Sequence, residues 1–240
     1  MINQTHIVID LETMGIGTRA AIVAIGAVRI EHGQLADEFY QRVDLDDVIR
    51  NGGETDAGTI SWWLKQSAEA RAEVDGSQPD ASLYDALGEL RRFIQSRKTT
   101  RLWGNGATFD LRILGEAYDT IHEYRPWDFR LERDLRTILE LYPEAKNVGP
   151  FEGIKHHALY DARHEARQLC KALRLHAGKA VEQPDMQTMV SRFLAWPLPA
   201  SVYAGPCAMY PAYPHRSGTN LLTADEAREM LEHVLVGGEA

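Results

Sequence analysis

Residues 7–12 read Ile-Val-Ile-Asp-Leu-Glu, a branched apolar run of the kind that forms a strand buried on both faces, broken near its end by two acids. A strand covered above and below belongs to a layered α/β fold. Side chains alternate faces along a strand, so Asp10 and Glu12 point the same way and their carboxylates converge. Like charges held that close, beside apolar neighbours, raise each other's pKa and cost several kcal/mol unless a cation lies between them. A divalent metal is the simplest remedy. The competing reading is a strand end at which both acids emerge into solvent.

Two further segments carry acids in suggestive places. Asp110 follows a strand pattern at 101–105 and a Gly-rich turn, and it opens a helical pattern with Leu111, Ile113, Leu114 and Tyr118 on its apolar face. Alone, it reads as an acid stabilising the helix dipole. Asp161 lies on an amphipathic stretch from His156 to about His176, whose stripe is Leu159, Ala162, Ala166, Leu169 and Leu173. His156 precedes Asp161 by five residues, a little over one helical turn, so its imidazole reaches the neighbourhood of the carboxylate. Alone, this is the pattern of a surface pair.

The rest of the chain fits an α/β layer arrangement. Residues 5–12, 20–31 and 35–44 read as strands, the last two joined across a turn at 31–34 into an antiparallel hairpin. Residues 59–73 and 82–95 read as helices, the second with Leu83, Ala86, Leu87, Leu90, Phe93 and Ile94 facing inward. A fourth strand at 101–104, a short fifth strand and a helix at 133–141 ended by Pro143 complete the pattern. The segment 51–58 reads as a loop.

Taken in order, a strand with Asp-x-Glu, an Asp at a loop-to-helix junction and His-x4-Asp on a late helix resemble the DEDDh 3′-5′ exonucleases of the RNase H-like superfamily, which include polymerase proofreading subunits, RNase T and oligoribonuclease. The motifs are Asp-Leu-Glu-Thr at 10–13, Phe-Asp at 109–110 and His-x-Ala-x-x-Asp-Ala at 156–162. Thr-Ile-Ser-Trp-Trp-Leu at 59–64 and Arg-Asp-Leu-Arg-Thr at 133–137 are similar to a phage and prophage branch related to a mycobacterial-type exoribonuclease domain. The histidine variant of the family places His five residues before the last Asp, which is His156; the tyrosine slot, four before, holds His157. His157 is therefore the rival for the same role, or a neighbour that packs or orients.

The resemblance implies an RNase H-like mixed central β-sheet flanked by helices, in an exonuclease domain at 1–178. It also implies a metal-dependent exonuclease that releases nucleoside 5′-monophosphates from 3′ ends of DNA or RNA. Attack on an anionic phosphodiester needs positive charge and an activated water, which two Mg2+ or Mn2+ ions about 4 Å apart supply. Such hard cations take oxygen ligands, in keeping with an all-carboxylate cluster. By resemblance Asp10 bridges both ions, Glu12 and Asp161 complete the first, Asp110 supports the second through water, and His156 accepts the proton of the attacking water. Thr13, Met14 and Gly15 are the expected contacts of the terminal 3′-hydroxyl. Asn105, five residues before Asp110 where many relatives have Asn four before, is a further substrate candidate. Met14, Trp62 or Trp63 offers a surface for base stacking, although adjacent helical tryptophans point about 100° apart and at least one should be core. Phe109 reads as a packing anchor for Asp110.

The 240 residues, 44% of them hydrophobic, suffice for a substantial core. A formal charge of -9 argues against gripping long duplexes by charge alone, but Arg19, Arg112, Arg125, Arg130 and Lys155 remain candidates to face a 3′ end, single-stranded or overhanging. Cys170 and Cys207 lack metal-type spacing. With no signal-peptide pattern and no apolar run of spanning length, no membrane role and a cytoplasmic location are expected. Several relatives are dimers, so a homodimer is a further expectation. Residues 179–240 form a Pro/aromatic-rich C-terminal extension, with Pro197, Pro199, Pro206, Pro211 and Pro214 among aromatics, and a capping box at 223–226 that starts a last helix at 224–236. This extension resembles a small module found on otherwise unrelated phage proteins. The rival from another class is a catalytically weak nucleic-acid-binding module on the same fold; a cofactor-binding α/β protein lacks its glycine fingerprint here.

Overall fold

The computed structural model describes residues 4–76, 80–95, 99–106 and 108–182. The expected C-terminal extension, including the 224–236 helix and Cys207, lies outside the described residues beyond position 182. Met1–Ala177 forms one compact unit.

Among the described residues five strands make a mixed sheet in the order β3-β2-β1-β4-β5: β1 His6–Thr13, β2 Ile22–Glu31, β3 Gln34–Arg42, β4 Arg101–Gly104 and β5 Glu132–Asp134. β1 is central, antiparallel to β2 and parallel to β4. The β2–β3 hairpin turns on His32 and Gly33, both at positive φ (51° and 72°), as a two-residue turn matched to strand twist requires. Among the described residues the helices are α1 Leu45–Arg50, α2 Ala57–Trp63, α3 Ala68–Ala72, α4 Leu83–Ile94, α5 Asp110–Thr120, α6 Leu135–Leu141 and α7 Ala158–Glu182.

Alternation in β1 divides the core. Ile7, Ile9 and Leu11 join a cluster with Leu87 and Leu90 of α4 and Ile113, Leu114 and Tyr118 of α5. Val8 joins the opposite cluster, with Ile138 of α6 and Ala162, Ala166, Leu169 and Leu173 of α7. Asp10 and Glu12 share the register of Val8, so they face the α7 side of the sheet.

Several boundaries differ from those expected. The single helix at 59–73 is two: Asp56 caps α2 by accepting from the Thr59 amide at 2.7 Å, and Ser67 starts α3 anew by accepting from Ala70 at 3.2 Å. The helix at 133–141 begins only at Leu135, because 132–134 pairs with β4 and Asp134 caps α6 through the Arg136 and Thr137 amides. The 156–176 helix begins at Ala158, and His156 stands before it with φ 63°. β2 begins at Ile22 rather than 20, where a register shift at Glu12/Thr13 bulges the pairing beside the acids. β3 stops at Arg42, and Asp44 then caps the unanticipated α1 through the Asp47 amide at 2.9 Å.

Candidate metal centre

Asp10 pairs across the sheet with Gly26 of β2. A Cβ at Gly26 would lie 2.2 Å from the carbonyl carbon and oxygen of Ala158, so the first turn of α7 sits directly on the sheet next to Asp10. Asp161, in that turn, is brought over the acids of β1. Its carboxylate is held by the backbone N–H of His156, which donates to Oδ2 at 2.8 Å. Carboxylate oxygens of Asp10, Glu12 and Asp161 lie within 4.8 Å of one another.

Crowding leaves its mark on protonation. Burial raises Asp10 well above the usual carboxylate range, and the charges of Glu165, Glu12, Asp110 and Asp161 raise it further. Glu12 is pushed up to about 8 by burial and then by Asp161, Asp110 and Glu73. Burial likewise raises Asp161, against the pull of the His156 amide. Three converging oxygen donors that resist ionisation in one another's company form the donor set a hard divalent cation fits.

Asp110 stands beside this trio, but its oxygens are turned to backbone. It is 2% exposed and accepts from the Leu11 amide at 3.2 Å and from the Asn105 amide at 3.0 Å. Burial pushes it up to about 6, and these amides together with Arg136 hold it from rising further. The Asn105 side chain donates to Glu165 at 2.6 Å and accepts from Arg136 Nε at 3.2 Å, so it braces carboxylates instead of lining the cavity.

The two histidines part company. The ring of His156 lies edge-on to Trp62, 4.7 Å between centroids. His157 occupies the N-terminal cap of α7: its Nδ1 accepts from the Leu159 amide at 3.2 Å and its Nε2 lies 3.5 Å from Glu73. Its ring is stacked on Tyr40 at 4.4 Å, with Tyr160 at the same distance. Burial lowers its pKa. Glu73 also accepts from the Tyr40 hydroxyl.

A cavity of about 440 Å3 adjoins Glu12, lined among others by Thr13, Gly15, Thr59, Trp62 and Phe109. Trp62 is 41% exposed there, whereas Trp63 is buried and donates its indole N–H to the Thr13 carbonyl at 3.0 Å. Thr13 donates its hydroxyl to the Gly15 carbonyl at 2.7 Å. Met14 lies behind this wall, buried in the core, with its amide on Ala21 and its carbonyl accepting from Asp56. The Met14 side chain therefore packs in the core, away from the cavity. Of the cations expected to face substrate, Arg19, Arg112, Arg125 and Arg130 are paired with Glu54, Glu116, Asp119 and Asp128, and Lys155 is exposed.

Glu165 and Glu73 were not anticipated among the site residues. Glu165 had a signal, four residues after Asp161 and hence on the same helical face. Glu73 had none, since only the break between α2 and α3 delivers it. Among the described residues no helix is long and apolar enough to cross a membrane.

Residues 5–173 match the family of the 3′-5′ exoribonuclease Rv2179c-like domain. The chain is 24% identical to an exodeoxyribonuclease of enterobacteria phage T4, over 71% of this chain and 90% of that protein. The zinc-bound form of an E. coli ExoI–ssDNA complex has the same fold, with a TM-score of 0.55 at 12% identity, covering 80% of this chain and 43% of that one. E. coli Exonuclease I in complex with a dA16 oligonucleotide gives 0.50 at 17% identity, over 72% and 41%.

Proposed function

The chain belongs to the family of 3′-5′ exoribonuclease Rv2179c-like domains, as a DEDDh-type 3′-5′ exonuclease, and from that membership we propose that Asp10, Glu12, Asp161 and Asp110 hold two divalent cations, Mg2+ or Mn2+, while His156 acts as general base in releasing nucleoside 5′-monophosphates. The observation that carries this reading is the meeting of three carboxylate oxygens within 4.8 Å, in surroundings that resist their ionisation without a cation. Cations bound there supply the positive charge that lets water attack the phosphodiester and lets the 3′ oxygen depart.

The chain's own groups have separate tasks. Asp10 lies with Glu12 and Asp161 and feels the charge of Asp110, so it would hold a cation together with each of them. His156 accepts a proton from the attacking water. Its backbone amide donates to Asp161 and its ring lies edge-on to Trp62, a residue of the cavity wall, which supports that role. His157, with both ring nitrogens engaged, positions the start of α7. Thr13 and Gly15 meet the terminal sugar, and Trp62 and Phe109 hold its base by stacking, which every base permits. The exonuclease domain spans 1–178, with 179–240 as an appended extension. The substrate is a 3′ end of DNA or RNA, single-stranded or overhanging: the family description names RNA and the phage relative is named for DNA.

The test uses matched 5′-labelled DNA and RNA strands with Mn2+ or Mg2+. Stepwise shortening is expected, abolished by Asp10→Ala and by EDTA. Metal-loaded protein that retards the strands in a gel but shortens neither would replace this reading with a binding module.

A further inference from the structure

One turn beyond Asp161 on α7, Glu165 is only 6% exposed. Its two oxygens differ. Oε1 accepts from Asn105 Nδ2 at 2.6 Å, and the orientation of that amide is set by Arg136, whose Nε donates to Asn105 Oδ1 at 3.2 Å. Oε2 is buried with no hydrogen-bond partner among the described residues. An unpaired carboxylate oxygen inside a protein is costly, because it has lost water and gained nothing. The charges that raise Glu165 are those of Asp110 and Asp161, which like Glu165 itself only accept when ionised, while the Arg136 guanidinium pulls the other way. Glu165 is also the neighbouring charge that acts most strongly on Asp10, ahead of Glu12, Asp110 and Asp161.

Asp110, meanwhile, has committed each oxygen to a backbone amide. A cation on that side of Asp10 would thus be poorly supplied with free protein oxygens, while Oε2 of Glu165 is left without a partner. We propose that Glu165 is a fifth acidic ligand of the centre, its Oε2 completing the cation on the Asp10–Asp110 side and its Oε1 anchored by Asn105 and Arg136. This inference rests on the metal-dependent reading above. Asn105 becomes a positioning residue, since it fixes which oxygen of Glu165 is free. The rival role for Glu165 is that of a neutral, protonated acid that only packs.

Glu165→Gln separates the two, because glutamine keeps the shape and the bond to Asn105 but is a far poorer metal ligand. The full chain is titrated with Mn2+ and the bound ion counted by electron paramagnetic resonance, with no nucleic acid present. Wild type is expected to bind two Mn2+, and Glu165→Gln to retain one while the affinity for the other falls about tenfold or more. The Mn2+ concentration needed for half-maximal strand shortening should rise by the same factor. Two Mn2+ bound by Glu165→Gln with wild-type affinity would overturn the assignment and leave the exonuclease reading intact, whereas wild type that binds no Mn2+ would overturn the metal-dependent reading itself. Should Glu165→Gln not fold, Glu165→Asp takes its place: the charge stays but its reach shortens, so the second Mn2+ must again weaken, and an unchanged affinity refutes the role.

Discussion

Gly26 of β2 touches Ala158, the first residue of α7, so closely that a Cβ there would fall 2.2 Å from the Ala158 carbonyl. Everything α7 contributes to the centre depends on that approach: Asp161 in its first turn, Glu165 one turn later, and His156 just before it. Gly26→Ala must push the helix start off the sheet, since backbone and not a flexible side chain stands in the way. It is expected to cost about 1–3 kcal/mol of stability and to weaken Mn2+ binding together with nuclease activity. Urea melts and Mn2+ titration check this, and a Gly26→Ala protein with wild-type Mn2+ affinity would show that α7 is seated by other contacts.

His156 and His157 should respond differently to truncation. His156→Ala removes the proposed base and is expected to lower kcat by about 10²–10⁴-fold, with Mn2+ binding and melting temperature close to wild type. His157→Ala removes the acceptor for the Leu159 amide and the partner of Glu73, so it should cost about 1 kcal/mol of stability and affect rate less. Single-turnover rates and thermal melts on both variants decide it; the opposite ranking of rates would make His157 the base.

The parts of this site legible in the sequence are those that follow from periodicity. Strand alternation put Asp10 and Glu12 on one face, and the Leu-Ala stripe of α7 located Asp161 against the sheet. What periodicity does not carry is contact between distant segments. The 59–73 pattern continued the apolar spacing across a break that Ser67 marks only as a cap, and without that break neither the inward turn of Trp63 nor the meeting of Glu73 with His157 is visible. Gly26 reads as an ordinary strand glycine until Ala158 is seen against it. For Asn105 the sequence offers only its offset from Asp110, because its hydrogen-bond partners Glu165 and Arg136 lie on other elements.

Trp62 and Trp63 give a clean contrast. Trp62 is exposed at the cavity, so Trp62→Ala should change the melting temperature little and weaken binding of the strand by about 1–3 kcal/mol, read as a raised KM, with kcat lowered as well because His156 loses its edge-on contact. Trp63→Ala empties a core site and frees the Thr13 carbonyl, so it should lower the melting temperature by an amount reflecting about 3–5 kcal/mol. A Trp62→Ala enzyme with wild-type KM would remove the base from this wall of the cavity.

The acids make stability depend on pH, in a way that bound metal should cancel. Without metal, Glu12 is pushed up to about 8 and Asp110 up to about 6, and Asp10, Asp161 and Glu165 are raised as well, burial being the first cause in each. In the unfolded chain the same groups ionise near pH about 4. The native state thus binds protons that the unfolded state has released, so stability is full below about pH 4 and falls as pH rises through the raised native values, about 6 for Asp110 and about 8 for Glu12 among them. A bound cation favours the ionised carboxylates and removes the fall. Melting temperatures in EDTA should therefore drop between about pH 5.5 and about pH 8.5, while the stabilisation added by Mn2+ grows over the same range. A melting temperature in EDTA that climbs with pH would mean that these carboxylates are already compensated by groups within the protein.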